Sequence, residues 1–192
     1  IEPASGHQLV QSAEELRLAV EASREAGLVE DSAHDLVDRA LLFPDLEAQH
    51  AMVPRTEMAA VPVDADLDAV VQTALETGHT RLPVYDGDLD HIVGVVNVKR
   101  LLPQVLAARN GNGLTPSAPF RLADVMTEVV AIPDTAPASA LLPQLRDAHT
   151  PMAIVIDEYG GTAGLITLVD LVESLVGEIT DELEPVSTNG RL

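Results

Sequence analysis

The chain has 192 residues, 46% of them apolar but only 2% aromatic, with neither Trp nor Cys. That is enough aliphatic side chain to fill a layered core, and it excludes a disulfide frame, a thiolate zinc site and a cysteine nucleophile. The 31 acidic residues against 11 basic ones give a formal charge of −20, which argues against nucleic acid or an anionic lipid surface as a partner and favours metal cations.

Residues 1 to about 50 read as an acidic helical segment. In SAEELRLAVEASREAG, Leu16, Ala19, Val20 and Ser23 fall near one face, with Glu and Arg on the other. Ser12 and Glu15 have the spacing of a capping box, and Gly27 supplies a stop. A second helix is predicted from Asp31 to Leu42, with Leu36, Val37, Ala40 and Leu41 apolar and Pro44 ending it.

From Met52 onward the chain repeats itself. VPVDADLDAVVQTALETGHTRLPVYD, Val61 to Asp86, aligns without gaps on IPDTAPASALLPQLRDAHTPMAIVID, Ile132 to Asp157. Each copy continues through a short turn into a strand and a helix, IVGVVNVKRLL in one and TAGLITLVDLV in the other. The first copy's helix runs from Asp66 to Thr77 with Gly78 as its stop, and LPVYD and HIVGVV read as neighbouring strands. NGNGLTPSAP, Asn110 to Pro119, is loop-forming and separates the copies. One unit alone leaves a sheet face bare, whereas two can cover each other. The expected class is therefore α+β or α/β, with an acidic segment at 1–50, units at 51–109 and 120–180, a linker at 110–119 and a flexible tail at 181–192.

No apolar run reaches the roughly 20 residues of a membrane-spanning helix. A start at Ile1 and a loose VSTNGRL at the other end lead us to expect an excised piece of a longer protein.

The second copy ends on DEYGGTAGLITLVDL, where a glycine-rich turn and a strand run into Thr167-x-x-Asp170. On residue types alone this is a helix cap worth about 1 kcal/mol. It also suits a nucleotide, with Asp170 accepting from ribose hydroxyls and Thr167 touching ribose or phosphate near helix N–H groups. The residue types alone leave both readings open and favour the cap. Gly160 and Gly161 permit a tight turn and Gly164 a close backbone approach, which a plain hairpin explains equally well. There is no HExxH, no GxSxG and no Walker loop, and the six His are scattered, so catalysis is not expected.

Two βαββα units of this form resemble a tandem cystathionine-β-synthase (CBS) domain pair, or Bateman module. MVPRTEM before the first unit, GHTRLPVYDGDLDHIVGVVNVKRLL within it and MAIVIDEYGGTAGLITLVDLVESLVGEITDE closing the second are similar to the CorC/HlyC family, bacterial relatives of the CNNM magnesium transporters. The similarity runs from about Ala13 to Glu184. It implies a regulatory module at the cytoplasmic face of the cell membrane, preceded by a transmembrane domain and often followed by a small C-terminal domain, in a parent linked to Mg²⁺ and Co²⁺ efflux. It also implies a homodimer formed through the helices, and an adenine nucleotide, ATP with Mg²⁺, as ligand.

In such pairs the site is shared between units. The resemblance therefore implies that His79, Thr80, Arg81, Leu82 and Pro83 join Leu165, Thr167 and Asp170, with Val53 and Met58 facing adenine from the leading segment. His79 stands where relatives often carry Tyr and would stack on the base. Arg81 would counter phosphate charge, or serve in a surface ion pair. Val53 stands where CNNM relatives have Thr.

Val169, in TLVD, stands where relatives have Glu in TLED. That removes a carboxylate able to couple binding to Mg²⁺ and leaves Glu173 and the N-terminal acids as candidates. At the symmetry-related site Asn97 and Arg100 replace Thr167 and Asp170, so one competent site per chain is expected. The alternative is a dimerisation platform whose cleft takes no ligand.

Overall fold

The computed structural model describes residues 12–109, 120–148 and 151–177. The expected linker at 110–119 and tail at 181–192 lie outside the described residues, as do positions 1–11 of the acidic segment.

Helices α1 (Ala13–Glu25) and α2 (Asp31–Leu42) form an antiparallel hairpin. The Ser12 hydroxyl accepts the Glu15 N–H at 3.1 Å, and Glu14 and Glu15 oppose the helix dipole. α1 ends at Glu25, with Gly27 in the left-handed conformation at φ 71°. No residue of either helix is buried. Polar contacts tie them instead: the ion pairs Arg17 to Asp38 at 3.1 Å and Arg24 to Asp31 at 3.4 Å, and the His34 ring beside Glu21 at 2.6 Å. Phe43, in the turn around Pro44 that ends α2, is the first side chain among the described residues to enter the core.

The short helix α3 (Ala48–Ala51) leads to strand β1 (Val53–Pro54). The first unit then runs through β2 (Val61–Pro62), α4 (Leu67–Thr77), β3 (Arg81–Tyr85), β4 (Ile92–Asn97) and α5 (Leu102–Arg109). The second follows as β5 (Val130–Pro133), α6 (Ala138–Asp147), β6 (Met152–Ile156), β7 (Thr162–Thr167) and α7 (Leu168–Val176). In each unit the hairpin is antiparallel and the leading strand joins it in parallel. This is the expected pair of βαββα repeats. β1 does not pair within the first unit; it adds antiparallel to β7, giving the sheet order β1-β7-β6-β5 beside β2-β3-β4.

Strand alternation explains how the units cohere. Val155 and Ile166 face their own helices, packing with Leu141, Leu145 and Leu171. Their neighbours Ile154 and Leu165 face the other way and meet Met152 and Val95 between the two sheets. The first unit closes its own core around Leu82, Val84, Val96 and Leu101.

Gly94 and Gly164 occupy matching steps of the two hairpins. A Cβ on Gly164 would collide with the Val53 carbonyl, and one on Gly94 would lie 2.9 Å from the Thr127 carbonyl. Each hairpin is thus crossed by the backbone that leads into the opposite unit, β1 on β7 and Thr127 on Val95.

Candidate functional site

α7 begins at Thr167, whose backbone is still extended (φ −114°, ψ 167°). Its hydroxyl accepts the Asp170 N–H at 3.3 Å, while its own N–H donates to Asp170 Oδ2 at 2.6 Å. The cap expected from the sequence is therefore present as a reciprocal box. It fixes both side chains at the end of β7 and uses Oδ2; Asp170 Oδ1 takes no part in it.

This junction forms one wall of a cleft of roughly 450 Å³. β1 supplies a second wall, because pairing Val53 with Leu165 lays the leading segment beside the end of β7 and brings Met58 into the lining. The third wall comes from the first unit: α4 stops at Gly78 in the left-handed conformation (φ 72°), and the chain turns through His79 and Thr80 into Arg81 at the start of β3. Both units and the leading segment thus contribute, and Val53, Met58, His79, Thr80, Arg81, Leu165, Thr167 and Asp170 come together as the cross-paired arrangement requires.

Leu82 and Pro83 do not line the cleft. Leu82 is fully buried among Val61, Val70 and Val84 in the first unit's core, and Pro83 is buried opposite Val95 in the hairpin. Once β3 begins, its side chains are committed to the two faces of a covered sheet, and Arg81 is its one residue on the cleft lining. Glu173 lies on α7 beyond Asp170, exposed and off the lining. Gly160 and Gly161 belong to the turn at the other end of β7, so they shape the hairpin rather than the cleft.

Glu57, Met152, Leu168 and Val169 also line the cleft. Of these, Val169 was singled out in the sequence, whereas Glu57 was not, although it is the one acid in MVPRTEM. The floor is apolar, through Val53, Met58, Met152 and Leu165, and suits a planar base. The charged rim sets Arg81 against Glu57 and Asp170. Arg81 alone does not balance a polyphosphate beside two carboxylates, so a cation arriving with the phosphates would complete the charge balance. Among the described residues, no group of three or more His, Cys, Asp or Glu is placed to hold a metal ion on its own.

The symmetry-related position differs in chemistry. Asn97 accepts the Lys99 N–H at 3.1 Å and opens a 3-10 turn, Val98–Leu101, rather than a reciprocal box. Arg100, in place of Asp170, is a donor only and offers no acceptor to a sugar diol.

A family model described as "CBS domain" matches residues 51–106 and 122–177. The magnesium and cobalt efflux protein CorC of Escherichia coli (strain K12) is 30% identical over 178 residues, covering 93% of this chain and 58% of that protein. The chain spans about 40% of the length of other curated relatives it matches.

Among solved structures, the CBS domain of the bacterial CNNM/CorC family Mg²⁺ transporter superposes with a TM-score of 0.74 at 34% identity, covering 88% of this chain and 99% of that one. The same domain in complex with ATP gives a TM-score of 0.66 at 35% identity, over 76% of this chain and 97% of that one. No helix among the described residues is long and apolar enough to cross a membrane.

Proposed function

The chain belongs to the CBS domain family, as the tandem pair of the CNNM/CorC group, and from that premise we propose that it is the adenine-nucleotide-responsive regulatory module of a membrane Mg²⁺ transporter. The observation that carries this reading is the shared cleft. Asp170 and Thr167 stand at a helix start on one side and His79 and Arg81 on the other, over an apolar floor.

In this reading Asp170 Oδ1 accepts from the ribose hydroxyls, Val53 and Met58 hold the base, and Arg81 meets the phosphates, whose Mg²⁺ offsets Glu57. The relative's ATP complex supports the choice of nucleotide. The module works at the cytoplasmic face of the membrane and regulates rather than catalyses. Regulation requires that nucleotide bind one conformation of the module better than the other, so that occupancy biases the attached membrane domain.

Calorimetric titration of ATP, with Mg²⁺ and separately with chelator, tests the proposal. One ATP per chain is expected, weakened by removal of Mg²⁺ and by Arg81→Ala. An absence of heat and of thermal shift under both conditions would leave the second reading, a dimerisation platform. That reading has its own support in the fully satisfied box between Thr167 and Asp170, which needs no ligand to account for either residue.

A further inference from the structure

Two stretches singled out in the sequence, PRTE of the leading segment and the DEYGG turn, lie at the same place in the fold. The Arg55 guanidinium donates to Asp90, in the turn between β3 and β4, and to the Thr162 carbonyl at 3.4 Å. Asp90 Oδ1 also accepts the Thr162 N–H at 3.0 Å, and Thr162, the first residue of β7, is 4% exposed. Asp157 shapes the turn before it by accepting the N–H groups of Tyr159 and Gly161 at 2.9 and 2.8 Å. A Cβ on Gly161 would sit 3.1 Å from oxygens of both Asp157 and Asp90. The leading segment, the first hairpin and the second hairpin therefore meet at one junction. Its chemistry is felt by the charges: Arg55, and after it the Thr162 N–H, holds the Asp90 carboxyl below the usual aspartate range.

The position of this junction gives it a use. β3 starts at the cleft with Arg81 and runs away from it toward the turn that holds Asp90. β7 starts at Thr162 and runs toward the cleft, ending at Thr167. The hairpins are joined at their turn ends and hold the cleft at their open ends, about 17 Å further along a strand of this length. Arg55 also directly follows β1 and precedes Glu57 and Met58, so the wall built by the leading segment starts from the same point.

We propose that Arg55, Asp90 and the Thr162 backbone form a clasp that sets the spacing of the nucleotide cleft, with Arg55 and Asp90 acting as positioning residues that do not touch the ligand. The proposal rests on the nucleotide reading above. Binding groups must be held to within about half an ångström to work together, and three walls anchored at one point can keep that register. The two side chains are 37% and 48% exposed. An ion pair so exposed contributes little to overall stability, so its loss is felt in ligand affinity more than in melting temperature.

The test is an ATP titration, with Mg²⁺, of the whole chain carrying Arg55→Ala, Asp90→Ala or both, well below each melting transition. Arg146→Ala, which breaks a surface pair with Asp147 that is more exposed still, at 66% and 68%, is the control. Each single substitution is expected to raise the Kd by about fivefold or more, and the double to be no worse than the weaker-binding single, since coupled partners are not additive. Arg146→Ala is expected to leave the Kd unchanged. Folded Arg55→Ala and Asp90→Ala proteins with the unsubstituted Kd would overturn the clasp.

If Arg55→Ala does not fold, Arg55→Lys keeps the charge without the fork and is held to the same criterion with a smaller shift. Should the unsubstituted chain give no ATP heat, the nucleotide reading alone fails, and amide exchange decides the clasp. Arg55→Ala, or Arg55→Lys in its place, must then speed exchange together in 53–58, 86–91 and 162–167. Acceleration confined to 53–58 sinks it.

Discussion

At the scale of single residues, Asp170 closes the helix cap and, in the proposed function, also accepts from ribose, two duties that separate experimentally. Its Oδ2 closes the box with the Thr167 N–H, so Asp170→Ala is expected to cost about 1 kcal/mol of stability from the lost cap, read as a lower urea midpoint, as well as abolishing nucleotide binding. Gly164→Ala is a different kind of lesion, because the added methyl meets the Val53 carbonyl, which is backbone and has little room to yield. It is expected to destabilise by about 1–3 kcal/mol and to weaken ATP binding, since β1 is displaced from β7. Equilibrium unfolding checks the first effect and titration the second.

The Thr-x-x-Asp spacing was legible as a cap because capping is local chemistry. Leu82 and Pro83 were misplaced as cleft residues because a motif read as a continuous run ignores the strand alternation that buries both.

At the scale of elements, helices announced themselves through caps and stops: Asp66 accepts the Ala69 N–H at 2.8 Å at the start of α4, and Gly78 ends it. The repeat made the two hairpins legible in the same way. The pairing of β1 with β7 was not legible, since a strand of two residues has no periodicity and its partner lies in the other repeat. The clasp was hidden for a related reason, its partners being 35 and 107 positions from Arg55.

The clasp has a pH signature. A carboxyl whose pKa is lowered on folding adds stability that is complete above its unfolded value and is lost as pH falls through the folded one. For Asp90 the ordinary value is 3.8 and the shift is downward. The difference in urea midpoint between the unsubstituted chain and Asp90→Asn is therefore expected to be constant from neutral pH to about 4 and to vanish only in stronger acid. A difference that fades already between pH 7 and 5 would contradict the assignment to Asp90.

At the scale of the whole molecule, the sheets pack on each other and leave helices outward, and α4 and α5 present Leu75, Leu102 and Leu106 to solvent at 75%, 54% and 56% exposure. If the homodimer that the family resemblance implies forms through this face, it is expected to dissociate on Leu75→Glu with Leu106→Glu, read by sedimentation. An unchanged mass would place the interface elsewhere. On the other side α2 packs on α7, with Arg39 lying against Gly177 at the end of that helix. The acidic hairpin thus rests on the helix that begins at the Thr167–Asp170 box.

The most direct measurement is ATP affinity and melting temperature determined side by side for Asp170→Asn. The amide oxygen can still accept the Thr167 N–H, so the cap persists, while the negative charge offered to the ribose is removed. The expected result is a melting temperature close to that of the unsubstituted chain with ATP binding weakened by tenfold or more, about 1.4 kcal/mol. Unchanged ATP affinity in a folded Asp170→Asn protein would contradict the assignment of this cleft as the nucleotide site.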